Sequence, residues 1–150
     1  MSDISDIYNA FHTRIAAVLT THKRLPNPYL LESNPNGYLR QGYAVSIGPG
    51  ENTNRLIGCK IPMGRSFEVI ISREYIATEF NPATMATTEK QLFEDQLLII
   101  QDFYTDTTLG TGAFKTLYQS DSGVEFIHTQ DESYVYVRTV FDIEYLEATS

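Results

Sequence analysis

The central element of this 150-residue chain is predicted from SYVYVRTVFDIEYLEA, which runs from Ser133 to Ala148. In a β-strand, successive side chains point to opposite faces of the sheet, so alternate residues of this stretch form two sets. One set is mixed and partly acidic, and it contains Arg138, Asp142 and Glu144. The other set is almost wholly apolar and consists of Val135, Val137, Thr139, Phe141, Ile143 and Tyr145. Because strands usually hold roughly 5–6 residues, a strand this long is predicted to run through the middle of a sheet.

Length and composition favour one globular domain over residues 1–150, since a domain typically holds about 100–150 residues. The hydrophobic fraction of 42% and the aromatic fraction of 12% suit a packed core. Cys59 is the single cysteine, so an internal disulfide is excluded. The sequence shows neither a leader pattern nor an apolar run near the roughly 18 residues that a membrane helix needs. We expect a soluble protein made in a reducing compartment, with no membrane contact.

The net charge of −8 is concentrated in the second part of the chain. Residues 1–88 carry eight Lys or Arg and seven Asp or Glu, whereas residues 89–150 carry three and twelve. Such a field repels DNA and acidic membranes and attracts basic partners. A solvated surface that favours solubility is the simpler interpretation of any single acid.

Two amphipathic helices are predicted. The first runs from about Asp3 to His22 and has one apolar stripe at 3–4 spacing, with His12 beside the stripe and expected at the surface. The second opens at Asn81-Pro82, where Asn can cap and Pro suits the first helical position; the weakly patterned segment from Ala83 to Thr88 is open to a loop interpretation instead. Its clear part runs from Glu89 to Tyr104, with Asp95 expected outside and the buried face formed by Leu92, Phe93, Leu97, Ile100 and Phe103.

The remaining segments are predicted as strands and loops. Leu25 to Gly37 is a long proline-rich loop. A three-stranded meander is expected next, with turns at residues 48–54 and at Pro62-Met63-Gly64. A hairpin about Ser120-Asp121-Ser122-Gly123 precedes the final strand. The predicted fold is therefore α+β in the order α-β-β-β-α-β-β-β, a largely antiparallel or mixed sheet with both helices packed on one face.

Signatures of known reactions are missing from the sequence. The glycines of LGTGAFK fit neither common phosphate-binding pattern. The three histidines lie on different elements without metal-ligand spacing, and Cys59 is better explained as a small buried side chain than as a nucleophile. Asp142 and Glu144 share a strand face, as an acid–base pair would, but exposed acid pairs on strands are common. No catalytic, cofactor or metal site is predicted.

The whole chain resembles the tail terminator, or tail-completion, proteins of long-tailed bacteriophages. ISDIYNAFHTRIAAVL is similar to their opening helix, and YVRTVFDIEYLEA is similar to their long closing strand. The resemblance implies a structural virion protein, not an enzyme, assembled in the host cytoplasm. It implies a ring of six copies that caps the tail tube and joins it to the head. The implied partners are further copies, the tube protein, a stopper or other neck protein, and DNA that passes through without sequence-specific binding.

Particular residues are expected to carry this role. Asp142 and Glu144, with Glu125 on the preceding strand, are expected to face the DNA channel. Contacts with neighbouring subunits are expected at Tyr29, Leu30, Asn52, Asn54 and Arg55. Three alternatives stay open: a neighbouring neck protein such as a stopper, an acidic inhibitor or immunity-type protein that binds a basic enzyme, and a small enzyme of unfamiliar type.

Overall fold

The described part of the chain contains two helices and six strands. A computed structural model describes residues 4–25, 41–52, 60–75, 82–111, 115–128 and 133–148. In chain order the elements are α1 (Ile4–Val18), β1 (Lys23–Arg24), β2 (Gln41–Asn52), β3 (Lys60–Tyr75), α2 (Pro82–Thr105), β4 (Lys115–Asp121), β5 (Glu125–His128) and β6 (Ser133–Ala148). The α+β class is confirmed, and α2 begins at Pro82 as predicted.

The strand β6 is central, as its length indicated. The sheet order is β1-β2-β3-β6-β4, and β5 also pairs with β6. All pairings are antiparallel except that of the two-residue β1 with β2. β3 accompanies β6 along its entire length, from Tyr75 opposite Ser133 to Lys60 opposite Ala148. Sixteen residues of continuous pairing make β3 and β6 the frame to which the other elements attach.

Both helices cover one face of this sheet and enclose the main core. The alternate residues Val137, Phe141 and Ile143 of β6 are fully buried there, which confirms the predicted parity of the strand. From α1, the Phe11 ring stacks on Phe67 of β3 at a centroid distance of 4.7 Å. From α2, Phe103 lies 4.9 Å from Phe141. Aromatic rings from two helices and two strands therefore meet at one place.

The predicted meander is wrong, because β2 and β3 form a single long hairpin. Pro62 and Gly64, expected in a turn, lie inside β3 opposite Leu146 and Glu144. β2 ends at Asn52, opposite Met63, so Pro62 has no neighbour on that side among the described residues. A proline is tolerated at such a position because its missing N–H removes no ladder bond.

The predicted hairpin before β6 is also wrong. β4 and β5 pair with β6 along the same edge, one after the other, and do not pair with each other. Of the residues expected to reverse the chain, Ser120 and Asp121 still pair with β6, and Ser122 and Gly123 belong to a short link between β4 and β5. Asp121 accepts a hydrogen bond from the Gly123 N–H at 2.8 Å, and Ser122 bonds to the backbone of Arg138. Local turn chemistry therefore bends this edge without reversing it.

The buried face of α2 differs from the predicted one. Leu97, expected inside, is 50% exposed, whereas Ile99 is only 1% exposed. Asp95, expected outside, is buried together with Gln96. Gln96 donates to the Thr139 hydroxyl of β6 at 2.9 Å, and Asp95 accepts two bonds from Arg73 of β3. Polar contacts with the sheet thus set the rotation of this helix.

Candidate functional site

The face of the sheet that lies opposite the helices is the strongest candidate for a functional surface. We call it the open face and define it by the second set of β6 residues with their strand neighbours. Its members on β6 are Tyr134, Tyr136, Arg138, Val140, Asp142 and Glu144, and beside them lie Gly64, Ser66, Glu68 and Ile70 of β3, Lys115 and Leu117 of β4, and Glu125 of β5. It divides into an apolar end, a neutralised centre and an acidic end.

The apolar end is a small second core. Tyr134 is fully buried there in a cluster with Leu25, Ala44 and Ile70, and Tyr136 packs against it. The Tyr134 hydroxyl is buried without a hydrogen-bond partner. A hydroxyl left in this state costs roughly 1–3 kcal/mol, which the burial of the ring must offset. This end serves packing.

The centre of the open face holds one cation between two carboxylates. Arg138 Nε lies 3.0 Å from Glu125 Oε2, and its NH1 lies 3.6 Å from Glu68 Oε1. Its guanidinium carbon also lies 5.5 Å from the centre of the Tyr136 ring. Glu125 therefore lies on the expected face, but its charge is paired with Arg138.

The acidic end contains Asp142 and Glu144, both exposed. Asp142 stands opposite Ser66 and Leu117, and Glu144 stands opposite Gly64 and Lys115. A cleft of about 420 Å3 opens beside them and is lined by Pro49, Gly50, Glu51, Gly64, Arg65, Ser66, Gln119, Asp142, Ile143 and Glu144. Three of these side chains are carboxylates.

Among the described residues that line this cleft, Arg65 is the one cation. It donates to the Gly48 carbonyl at 2.9 Å and to the Tyr145 hydroxyl at 3.2 Å. These bonds direct its guanidinium to the backbone of β2 and to the helix side of the sheet. Over the lining residues that the structure describes, three carboxylates against one guanidinium leave the cleft a net negative charge.

The structure brings Asp142, Glu144 and Glu125 to one face of the sheet, and the channel that they are expected to face stays a prediction. Of the expected subunit contacts, Asn52 lies at the exposed end of β2. Tyr29, Leu30, Asn54 and Arg55 lie outside the described residues. The same holds for most of the Leu25–Gly37 loop, of which Leu25 is buried.

His12 is not at the surface as predicted. It is only 9% exposed, and both ring nitrogens are buried without a partner. The ring packs edge-on against Tyr8 at 4.6 Å, and it also contacts Tyr43. Burial, and secondly the charge of Arg24, lower the pKa of His12 to about 4. This histidine is therefore a neutral, buried residue.

The structure contains a buried polar cluster that was not predicted from the sequence. Asp95 Oδ2 lies 2.6 Å from Arg73 Nε and 3.2 Å from His22 Nε2, where the segment that follows α1 meets α2 and β3. Burial alone would raise the pKa of Asp95, but the contacts with His22 and Arg73 outweigh it and lower the pKa. One signal was available, since residues 92, 95, 96, 99 and 103 share a helical face. This cluster joins three parts of the fold through buried charges.

The described residues contain no group of three or more His, Cys, Asp or Glu side chains arranged to hold a metal ion. Within the same ranges, no helix has the length and hydrophobicity required to cross a membrane. Comparison with known proteins finds no protein-family model and no curated protein that matches this chain.

Proposed function

We propose that this chain is a structural virion protein of the tail-terminator kind, which forms a ring of identical copies at the end of a phage tail tube. The sequence resemblance supplies the hypothesis. The observation that supports it best is the acidic end of the open face, which lies on a sheet whose other face is closed by helices. A layer of this kind can line a passage while its helices face outward.

The charges of the open face suit a passage for DNA. Asp142 and Glu144 stand two residues apart on β6, or about 6.6 Å at the usual rise of a strand. Repeated around a ring, these carboxylates repel phosphates at short range, while salt screens the repulsion beyond roughly 8–10 Å. The charge of Arg138 is paired with Glu68 and Glu125, so the unpaired cation of this face among the described residues is Lys115, beside Glu144. Because the two carboxylates Asp142 and Glu144 outnumber this one cation, DNA would pass the acidic end without binding it tightly.

In this proposal the ring contacts the tube protein on one side and a stopper or other neck protein on the other. The ring closes through its own strand edges, because closure removes edges that otherwise promote aggregation. Six copies are expected from the resemblance.

The molecular mass in solution and images of the assembled particle test whether a ring forms. Charge reversal tests whether Asp142 and Glu144 line its channel. Asp142→Lys with Glu144→Lys should leave the ring assembled and should make it bind double-stranded DNA, with an affinity that falls as salt rises. Glu94→Lys, on the exposed side of α2, is the control and should bind DNA no better than the parent. Loss of assembly in the double variant would place these acids in a subunit contact instead of a channel wall.

A charge-mimicking inhibitor is the second candidate, and the acidic cleft beside Glu51, Asp142 and Glu144 favours it. That function requires a monomer at every concentration and a one-to-one complex with a basic protein that weakens steeply with salt. A closed ring of like copies would exclude this candidate.

A further inference from the structure

The sheet ends in two edges that have no strand partner among the described residues. On one side β4 pairs with β6 alone. On the other side β1 covers only Gly42 and Tyr43 of β2, so the second half of β2 has no outer strand in the described ranges. Edges of this kind present N–H and C=O groups that can pair with another chain.

Two hydrogen bonds show which backbone groups point outward from these edges. The Leu25 N–H donates to the Tyr43 carbonyl at 2.7 Å, so the peptide groups of Tyr43 point away from β3. Outward groups recur at every second residue of an antiparallel strand, which gives Ile47 the same orientation. At the opposite edge, the Tyr118 N–H donates to the Tyr104 hydroxyl at 2.9 Å and therefore points away from β6.

The register of the sheet makes these two observations consistent. Ile47, Phe67, Phe141 and Tyr118 lie side by side across β2, β3, β6 and β4. In such a row, hydrogen-bonded and non-hydrogen-bonded pairs alternate from one strand pair to the next. Outward groups at Ile47 therefore require outward groups at Tyr118, which the bond to Tyr104 shows.

We propose that the β4 edge of one copy pairs with the β2 edge of a second copy, with Tyr118 opposite Ile47. This inference rests on the proposed ring and assigns its subunit contact. The four strands β2, β3, β6 and β4 alternate in direction, so the next β2 continues the sheet as an antiparallel neighbour. The contact joins two different edges, and such heterologous contacts generate rings when the rotation closes.

The side chains at the two edges fit this register. Tyr118 and Ile47 both lie on the helix side of the sheet, and Ile47 is 42% exposed in the single chain. The bulge between Ile47 and Gly50 then brings Gly50 opposite Thr116 and Glu51 opposite Lys115. Pro49 falls within the bulge, where no ladder donor is required.

Lys115 and Glu51 provide the charge complementarity. Both are exposed, and both lie on the open-face side of their strands. Within the described residues, neither side chain makes an ion pair. Opposite charges directly across an antiparallel pair are favourable, whereas like charges there are unfavourable.

In the free chain, Tyr104 occupies a backbone donor of the β4 edge and so competes with pairing to a second copy. Its hydroxyl accepts a hydrogen bond from the Tyr118 N–H. In the assembled ring, the same N–H would donate to the Ile47 carbonyl of the second copy. Assembly must therefore release this bond. Tyr104→Phe should raise the association constant about two- to tenfold, since a hydrogen bond of this kind contributes about 0.5–1.5 kcal/mol. Tyr8→Phe removes the hydroxyl that accepts a bond from Arg24 and is the control with no expected change.

Disulfide trapping tests the contact directly. Lys115→Cys and Glu51→Cys are made as separate proteins, each with Cys59→Ser, and are then mixed and oxidised. Cross-strand neighbours have Cβ atoms about 4.5–5.5 Å apart, close to the range that a disulfide accepts. We expect a mixed dimer from this pair, and neither protein should form the dimer alone. Lys90→Cys, on the exposed side of α2, is the control partner and should give no mixed dimer with either.

The outcomes separate this inference from the proposed function. A ring seen by mass and imaging without the mixed disulfide overturns the contact and leaves the ring. A Lys115→Cys dimer with itself overturns the contact in favour of a two-fold pairing of β4 with β4. Absence of both ring and disulfide at all concentrations overturns both proposals. An unchanged association constant in Tyr104→Phe overturns the competition between the Tyr104 hydroxyl and the second copy.

Discussion

Replacing Ile99 or Leu97 with Ala tests which face of α2 is buried. The two residues lie on the same helix two positions apart, yet Ile99 is 1% exposed and Leu97 is 50% exposed. Truncating Ile99 removes three carbon groups, worth about 2.4 kcal/mol at roughly 0.8 kcal/mol each, and leaves a cavity that adds to the loss. We expect Ile99→Ala to lower the free energy of unfolding by about 3 kcal/mol.

Leu97→Ala should cost much less. Only about half of its side chain leaves water on folding, so the corresponding loss is near 1.2 kcal/mol. Ala also favours the helix over Leu by a few tenths of a kcal/mol, which reduces the net cost to about 1 kcal/mol. The two variants should therefore differ by about 2 kcal/mol.

Urea unfolding followed by far-ultraviolet circular dichroism measures this difference. With a slope near 2 kcal/mol per molar urea, the midpoint should fall by about 1.5 M for Ile99→Ala and by about 0.5 M for Leu97→Ala. Equal midpoints, or a lower midpoint for Leu97→Ala, would refute the orientation of α2 described here and restore the one suggested by its apolar periodicity.

Three further changes test the packing and the buried charges. Phe141→Ala should cost about 3–5 kcal/mol; a melting temperature within a degree or two of the parent would contradict its place in the core. Asp95→Ala should cost about 3 kcal/mol in denaturant unfolding, because it leaves Arg73 and His22 without their carboxylate; an unchanged midpoint would contradict the pairing. The pKa of His12 is about 4 in the folded chain against 6.5 ordinarily. The unfolded chain therefore binds more protons between these values, and stability should fall as pH drops from about 6.5 towards 4. His12→Phe should weaken that dependence, and an identical pH profile would contradict a buried neutral His12.

The residues between β4 and β5 show what a local sequence pattern cannot predict. Asp121 and Gly123 have the chemistry of a turn, and a hairpin was the natural prediction. The same hydrogen bond from Gly123 to Asp121 forms in the structure, but β6 is long enough to pair with the chain on both sides of it. A turn motif specifies a local bend, whereas the direction of the next strand depends on which partner it finds.

The candidate surface was partly predictable for the same reason. Alternation along β6 was sufficient to place Asp142 and Glu144 on one face and Phe141 on the other. That Glu125 would be paired with Arg138 required the register between β5 and β6, in which Glu125 stands opposite Tyr136. The sequence around Glu125 or Arg138 does not indicate that the two side chains pair.

Four features could be predicted from the residue pattern alone: the long strand, its two faces, the stripe of α1 and the start of α2 at Pro82. These features depend on side-chain periodicity and backbone chemistry, which act within a few residues. Three other features could not be predicted in this way: the rotation of α2, the burial of Asp95 and His12, and the pairing of β4 and β5 along a single edge. Each of these depends on contacts between residues distant in the chain, such as Gln96 with Thr139 and Asp95 with Arg73. The free energy of such contacts exists only once the sheet has brought the partners together.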